Sequence, residues 1–218
     1  RTRPKPLIAL AGRTLIDGVL DHLRAADIAR IVVNTHHKGE MIGAHLAGRP
    51  EIALSPEAEL LETGGGVRNA LPLLGPAPFF VVNCAAVWMD GPIPALRRLR
   101  DNWDGASMDA LLLMQPMTAV FGDAGQGDYF LDPLGRAARR AGHAVAPYLF
   151  AGVQILHPRL FEGAPDGAFS LNILYDRAEA AGRLSGIVHD GAWYHVGTPE
   201  QRQQAQDDIA PNALATKP

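Results

Sequence analysis

Hydrophobic positions in the first half of the chain predict helices alternating with strands. Thr14, with Asp17 three residues later, forms an imperfect capping box, and apolar residues recur behind it at helical spacing through position 28. Short apolar runs separated by polar turns are typical of buried strands. The predicted strands cover 31–34, 52–54, 79–83 and 108–114, and the further predicted helices cover 40–46, 67–74 and 92–99.

The pattern changes in the second half, where a hairpin is predicted. The sequence Asp132-Pro133-Leu134-Gly135 is a turn signal between two short strand-like runs, 128–131 and 136–140. A long strand over 148–156 carries Gly152 in its middle. Helices are then predicted over 158–161, 171–181 and 199–209, and strands over 184–188 and 193–196. We expect residues 210–218 to fray.

These elements predict an α/β fold. Strands alternating with helices are typical of βαβ units, so we expect a mostly parallel sheet with helices on both faces, made mixed by the hairpin. The run 79–82 is continuously apolar, as in a strand that is buried on both faces. A chain of 218 residues fits one domain, which we place at 1–210, followed by a tail at 211–218.

Composition narrows the class of protein. Hydrophobic residues make up 47% and charged residues 20%, which is ordinary for a globular chain and argues against disorder. The net charge is −3 and basic residues form only short clusters, so we expect no nucleic-acid partner. The sequence contains no apolar run long enough for a transmembrane helix, so we expect no membrane partner. A single cysteine, Cys84, argues against a disulfide framework and favours the cytoplasm.

Candidate chemistry is expected beyond the carboxyl ends of the parallel strands, where ligands bind in open α/β sheets. Asn34 and Asn83 come at the ends of two predicted strands, and Glu62-Thr63-Gly64-Gly65-Gly66 lies between a strand and a helix. The glycines would let the backbone approach a nucleotide closely, and a helix N-terminus would add free N–H groups. A flexible turn explains the same glycines without any ligand.

Other candidate residues have weaker signals. Lys5 lies between two prolines that stiffen the backbone, and its ammonium group suits a phosphate, although a solvated lysine is the simpler interpretation. His36 and His37 are adjacent and lack further zinc ligands, which favours a structural role. His195 in a late strand is also more simply explained as a structural histidine, and Cys84 as a small buried hydrophobe.

The ordered set of motifs resembles the sugar-1-phosphate nucleotidyltransferase family. Within it the chain is most similar to the N-acetylmuramate α-1-phosphate uridylyltransferases, which recycle cell-wall sugars. The motifs are Arg3-Pro4-Lys5-Pro6-Leu7, Val33-Asn34-Thr35-His36, Glu62-Thr63-Gly64-Gly65-Gly66, Val82-Asn83, Phe150-Ala151-Gly152-Val153 and Val196-Gly197-Thr198-Pro199-Glu200. The resemblance extends from Arg3 to about Gln206.

The resemblance implies a Rossmann-like fold and a Mg²⁺-dependent reaction. A sugar 1-phosphate would attack the α-phosphorus of a nucleoside triphosphate, UTP being favoured, and pyrophosphate would leave. The implied catalytic residue is Lys5, which would hold a phosphate. Nucleotide-binding roles would fall to Glu62, Thr63, Gly64, Gly65 and Asn83, and sugar-binding roles to Gly152, Ser170 and Asn172. Partners would be the triphosphate and the sugar 1-phosphate; the sequence leaves the oligomeric state open.

Three departures from the family pattern bear on activity. The family opens with a strand and a glycine-rich loop that wraps the triphosphate. We expect that both are missing before Arg1 in this sequence. The Mg²⁺-binding aspartate that follows the strand at 79–83 is replaced, since Cys84 and Ala85 stand there. The second expected aspartate is His195, which we retain as a metal candidate although imidazole suits Mg²⁺ poorly.

Two alternatives follow from these departures and from the family's diversity. One is a catalytically silent relative, natural or engineered through Ala85, that still binds nucleotide or sugar phosphate. The other keeps the reaction and changes the substrates to mannose 1-phosphate and GTP.

Overall fold

The computed structural model describes residues 3–121 and 125–215 as helices packed around mixed sheets. The helices are α1 (Leu15–Ala25), α2 (Gly39–Leu46), α3 (Glu62–Leu74), α4 (Ala95–Asn102), α5 (Asn172–Ala180) and α6 (Pro199–Ala215), with short 3₁₀ turns at Lys5–Leu7, Met117–Ala119 and Pro158–Phe161. The strands are β1 (Ala9–Leu10), β2 (Arg13–Thr14), β3 (Ile31–Thr35), β4 (Ile52–Pro56), β5 (Phe79–Val82), β6 (Ala86–Met89), β7 (Ala110–Pro116), β8 (Val120–Phe121), β9 (Tyr129–Leu131), β10 (Ala137–Arg139), β11 (Tyr148–Leu156), β12 (Leu184–Val188) and β13 (Ala192–His195).

The central sheet has six strands and is mixed, as expected. Its order is β10-β9-β11-β7-β12. The sixth strand, β5, lies off this path and pairs with the C-terminal part of β11. β7 and β12 are parallel, whereas β11 is antiparallel to both β5 and β7. The expected predominance of parallel pairs is therefore wrong for this sheet. The connection into β11 contains the β9–β10 hairpin instead of a crossover helix, so β11 returns in the opposite direction.

Both faces of this sheet are covered by helices, as the sequence predicts. Alternate residues of β7 enter different hydrophobic clusters: Leu111 and Leu113 pack with α1 and α4, while Leu112 and Met114 pack with α5. All four are at most 1% exposed. A strand buried on both faces needs apolar side chains at every position, which explains its continuous apolar sequence.

Two smaller sheets lie beside the central one. β3 and β4 form a parallel pair, and β13 pairs antiparallel with β6 and parallel with β8. The strand β6 was not predicted from the sequence, because its residues Ala86–Met89 follow β5 after a turn of only three residues. This turn contains Asn83, Cys84 and Ala85, so β5 and β6 together fix the central part of the expected site.

Helix boundaries agree with the sequence where a cap sets them and differ where packing does. Thr14 caps α1, and its hydroxyl oxygen accepts a hydrogen bond from the Asp17 amide at 3.2 Å. Helix α3 begins at Glu62, five residues before the predicted start at Val67, so the glycines lie inside the helix. Helix α6 continues to Ala215 across the proposed boundary at 210, and residues 216–218 lie outside the described part.

Candidate functional site

Expected site residues from β3, from the start of α3 and from the turn after β5 line one cavity, whose lining does not include Gly64 and Gly65. Its volume is about 540 Å³, and its lining includes Asn34, Glu62, Thr63, Gly66 and Asn83. Residues 31–34 and 78–84 line it consecutively, so the edges of β3 and β5 face the cavity as well as their side chains. Apolar residues of α1 and α3 complete the walls. The cavity is therefore an apolar slot between two strand edges, with polar groups where the strands end.

The glycines at the start of α3 are held tightly against the segment before α5. The amides of Gly64 and Gly65 both donate to the carbonyl oxygen of Phe169, at 2.8 and 3.2 Å. The expectation that these N–H groups are free for an anion is therefore wrong. Glu62 itself is exposed and has a left-handed backbone, with φ of 58°.

The glycines at 64 and 65 are explained by this packing. A Cβ atom added to Gly64 would lie 2.8 Å from the carbonyl oxygen of Phe169 and closer still to its ring. A Cβ atom added to Gly65 would collide with the carbonyl oxygen of Gly167. Such contacts leave no space for a side chain, so the sequence signal that suggested a ligand is first of all a signal of close helix-to-loop packing.

Asn83 is positioned by the bulge in β11. Its amide donates to the carbonyl oxygen of Gly152 at 2.8 Å, and its carbonyl accepts from the amide of Ala86 at 2.8 Å. Gly152 has φ of 80°, and a Cβ atom there would lie 3.2 Å from side-chain atoms of both Asn83 and Ala86. Gly152 is therefore a supporting residue beneath Asn83, which differs from the expected role at the boundary of a sugar pocket.

His195 lies on the same side as this turn. It is the register partner of Ala86 in the β13–β6 pair, and its exposed ring stacks on Trp193 with centroids 6.1 Å apart. The indole N–H of Trp193 donates to the Ala151 carbonyl at 3.0 Å and ties β13 to β11. The structure thus brings His195, Ala85, Asn83 and Gly152 into one neighbourhood.

Lys5 approaches the same turn from the N-terminal side. It is exposed in the 3₁₀ turn Lys5–Leu7. Burial raises the pKa of the Cys84 thiol to about 12, and the nearby Lys5 ammonium offsets part of that rise. Cys84 is therefore a neutral thiol at physiological pH, and Lys5 contributes positive charge next to Asn83.

Ser170 and Asn172 lie at the start of α5, next to the cavity lining. The Ser170 hydroxyl oxygen accepts from the Asn172 amide at 3.3 Å, and Leu171 lines the cavity between them. Their segment is the one that receives the hydrogen bonds of Gly64 and Gly65. The start of α3, expected to contact the nucleotide, is therefore hydrogen-bonded to the segment that carries the expected sugar-binding residues Ser170 and Asn172.

The residues present do not fit a protein-held Mg²⁺. Mg²⁺ takes oxygen ligands, but Ala85 offers a methyl group, Cys84 a neutral thiol and His195 a nitrogen. Asp90 is already engaged, because its carboxylate accepts from the Trp88 indole at 3.1 Å and from the Ala95 amide at 2.8 Å. Across 3–121 and 125–215, no group of three His, Cys, Asp or Glu side chains could hold a metal ion.

Asn34 and Glu57 form a part of the site that the sequence indicated only in outline. The Asn34 amide nitrogen donates to the Gly66 carbonyl at 2.7 Å and to the Glu57 carboxylate at 3.1 Å. Glu57 also accepts from the Leu61 amide at 3.1 Å. These bonds fix the β4–α3 connection against β3. Glu57 directly follows β4, so it lies at the carboxyl end of a parallel strand, where ligands are expected.

Within the described residues, no helix has the length and apolar character needed to cross a membrane.

Comparisons with known proteins agree with this architecture. Residues 1–116 match the model of the MobA-like NTP transferase domain. The chain is 38% identical over 215 residues to an N-acetylmuramate alpha-1-phosphate uridylyltransferase of Caulobacter vibrioides, covering 95% of this chain and 89% of that protein. It is 34% identical over 213 residues to a protein of the same name from Neisseria meningitidis serogroup B, covering 94% and 89%.

Solved structures show the same fold at low sequence identity. HddC from Yersinia pseudotuberculosis superposes with a TM-score of 0.76 at 19% identity, covering 96% of this chain and 91% of that one. Apo UDP-glucose pyrophosphorylase superposes with a TM-score of 0.74 at 13% identity, covering 98% and 92%. Together with the full-length relatives, these matches show that the chain belongs to the sugar-1-phosphate nucleotidyltransferase family.

Proposed function

We propose that this protein transfers a uridylyl group from UTP to N-acetylmuramate α-1-phosphate, giving a UDP-sugar and pyrophosphate for cell-wall sugar recycling. The observation that carries the proposal is the single cavity mouth formed by Glu62, Thr63 and Asn83 with the start of α5. The names of the two relatives matched over more than nine-tenths of the chain support this choice of substrates.

The proposed reaction needs mainly positioning and charge neutralisation. A phosphate oxygen of the sugar substrate forms a bond to the α-phosphorus while the bond from that phosphorus to the β-phosphate oxygen breaks. Both reacting groups are anionic, so a fixed positive charge and a rigid frame lower the barrier. Lys5 would bind a phosphate, Glu62 and the glycines of α3 would frame the base, and Asn83 would contact the nucleotide sugar. Ser170 and Asn172 would face the sugar substrate, with Gly152 supporting Asn83.

A second candidate is favoured by Ala85. Members of this family use a divalent metal, and the expected carboxylate is a methyl group here. A protein that binds nucleotide and sugar phosphate with little turnover accounts for the retained frame and the lost ligand together. For either candidate, the need for a nucleoside triphosphate fits a cytoplasmic enzyme.

The experiment that separates these candidates is pyrophosphate release, measured with UTP and GTP against N-acetylmuramate 1-phosphate and mannose 1-phosphate, with and without Mg²⁺. We expect UTP with N-acetylmuramate 1-phosphate to give the highest rate. A higher rate for GTP with mannose 1-phosphate would contradict the proposed substrates. Tight binding of UTP without release would support the silent relative.

We also propose that one more β-strand, joined to the N-terminal side of Arg3, fills the slot between β3 and β5. In the described part of the chain, β3 pairs only with β4 and β5 pairs only with β11. Each residue of β5 is partly exposed, although its sequence is that of a buried strand. Lys5 lies near the end of β5, so a strand that leads to Arg3 would leave the slot there, running in the direction of β5.

Hydrogen exchange tests this proposal. The chain would be extended at its N-terminus by a five-residue Val/Ile strand and a glycine linker, with a proline-interrupted strand as the matched control. We expect only the uninterrupted strand to slow exchange of the β3 and β5 amides. Equal protection with both extensions would contradict the proposal.

A further inference from the structure

The start of α3 and the start of α5 are joined by a compact set of hydrogen bonds. Phe169 is the centre of it: its carbonyl oxygen accepts from the Gly64 and Gly65 amides, and its amide donates to the Leu61 carbonyl at 3.2 Å. The phenyl ring is buried, with 4% exposed. We call residues 61–65 and 169–172 the α3–α5 junction.

Thr63 supplies a side-chain hydrogen bond that joins the two halves of this junction. Its hydroxyl oxygen accepts from the Leu171 amide at 3.0 Å. Leu171 immediately precedes α5, is 5% exposed and lies between Ser170 and Asn172. The amide before a helix has no carbonyl partner within the helix, so an acceptor supplied by another element fixes where the helix begins.

One lone pair of the Thr63 hydroxyl is therefore engaged by the protein, although the first turn of α3 was expected to frame the base. Because the Thr63 oxygen fixes the Leu171 amide, it also restricts the backbone of the residues on either side of Leu171. The Thr63 hydroxyl and the Phe169 carbonyl together hold the segment that carries Ser170 and Asn172.

We propose that Thr63 is a positioning residue for the sugar phosphate, acting through the α3–α5 junction to hold Ser170 and Asn172. The proposal rests on the proposed function, because it assigns the segment 170–172 to the sugar substrate. It differs from the expectation that Thr63 serves the nucleotide.

The two assignments predict opposite effects of removing the hydroxyl. Thr63→Val keeps the shape of the side chain and removes the acceptor, while Thr63→Ser keeps the acceptor. Thr118→Val, at an exposed position in Met117–Ala119, is the control for the same chemical change elsewhere. Affinities for UTP and for N-acetylmuramate 1-phosphate are measured separately by calorimetry, which requires no turnover.

We expect Thr63→Val to weaken sugar-phosphate binding about tenfold, as the loss of one partly buried hydrogen bond would, and to leave UTP binding within about twofold. Thr63→Ser should bind both as the unaltered chain does, and so should Thr118→Val. Weaker UTP binding with unchanged sugar-phosphate binding would overturn the proposal in favour of a base contact. Unchanged binding of both would overturn it as well.

Amide exchange gives a readout that does not depend on the substrates. Exchange at 169–172 should be faster in Thr63→Val than in Thr63→Ser, with exchange in β7 and β11 unchanged. If the unaltered chain binds no sugar phosphate, the proposed function fails, while faster local exchange still shows the positioning role. If exchange at 169–172 is the same in both variants, the positioning role is wrong whatever the substrate.

Discussion

At the scale of single residues, Gly152 determines where Asn83 lies. The β11 register shifts between Phe150 and Gln154, and the bulge places a left-handed glycine against the β5–β6 turn. A strand glycine often marks a place where another backbone comes close, and here that backbone carries a proposed nucleotide contact. The sequence indicated the importance of Gly152 but assigned it to the pocket lining, because only the tertiary structure shows what lies above it.

The first prediction is that Gly152→Ala weakens UTP binding and lowers stability. The added methyl group meets Asn83 and Ala86 at 3.2 Å and must also adopt φ near 80°. Gly142→Ala is the matched control, because Gly142 has φ of 56° and nothing within 4 Å of an added Cβ atom. Both should lose about 1 kcal/mol to backbone strain in urea unfolding, and Gly152→Ala should lose more. Equal losses and equal UTP affinities would contradict the placement of Asn83.

The second prediction concerns Ala85. Ala85→Asp should bind Mg²⁺ on the order of tenfold more tightly than the unaltered chain, because a carboxylate supplies charge and a direct oxygen ligand. Ala85→Asn, similar in size and uncharged, is the control. Mg²⁺ affinity is measured by calorimetry with the metal alone, and pyrophosphate release should rise in Ala85→Asp only. Equal affinity and full activity in the unaltered chain would mean that another residue supplies the ligand.

At the scale of elements, boundaries that are set by local sequence signals were predicted well. Boundaries and strand directions that are set by tertiary packing were not. The Thr14 cap and the turn at Asp132 are set by neighbours in sequence, and both are found as predicted: Asp132 accepts from the amides of Leu134 and Arg136, each at 2.8 Å. The start of α3 was placed too late, since three glycines disfavour a helix unless a close neighbour requires them. The direction of β11 also depends on long-range pairing that no local pattern records.

The third prediction follows from the glycines inside helices. Gly64→Ala should destabilise the protein by about 2 kcal/mol or more, because the new methyl group overlaps Phe169. Gly18→Ala in α1, with nothing within 4 Å of its added Cβ atom, should stabilise it by about 0.5–1 kcal/mol. Urea unfolding checks both. A stabilising Gly64→Ala would show that the α3–α5 junction is looser than described.

At the scale of the whole molecule, a few partly buried ion pairs connect distant parts of the chain. Asp17 in α1 binds Arg49 at 2.8 Å and His45 of α2 at 2.9 Å. Asp109, before β7, binds both Arg159 and Arg183. Burial tends to raise the pKa of Asp17, but hydrogen bonds from Thr14, Arg49 and His45 outweigh it and lower the pKa from 3.8 to about 2. The pKa of Asp109 is likewise lowered by its two arginines, against the effect of burial.

The fourth prediction is a loss of stability in acid. A carboxyl group whose pKa is lower in the folded state stabilises the fold above its unfolded pKa, and that stabilisation disappears as the pH falls through the folded value. For Asp17 the loss runs from about pH 4 to about pH 2 and amounts to about 2 kcal/mol. Asp17→Asn should be less stable at pH 6 and show a smaller decrease between pH 5 and pH 2.5 in urea unfolding. Asp166→Asn, at an ion pair whose aspartate side chain is 96% exposed, is the control. An unchanged decrease in Asp17→Asn would contradict the assignment.

The slot beside β3 and β5 also bears on how the polypeptide behaves at high concentration. Each of these strands presents a row of amide and carbonyl groups along an apolar edge, and such an edge is a template for a strand from another molecule. Two edges facing one gap offer twice the hydrogen bonding of an ordinary sheet margin. Intermolecular strand exchange, and aggregation that grows with concentration, should therefore begin at this gap and cease once a strand of the chain's own fills it.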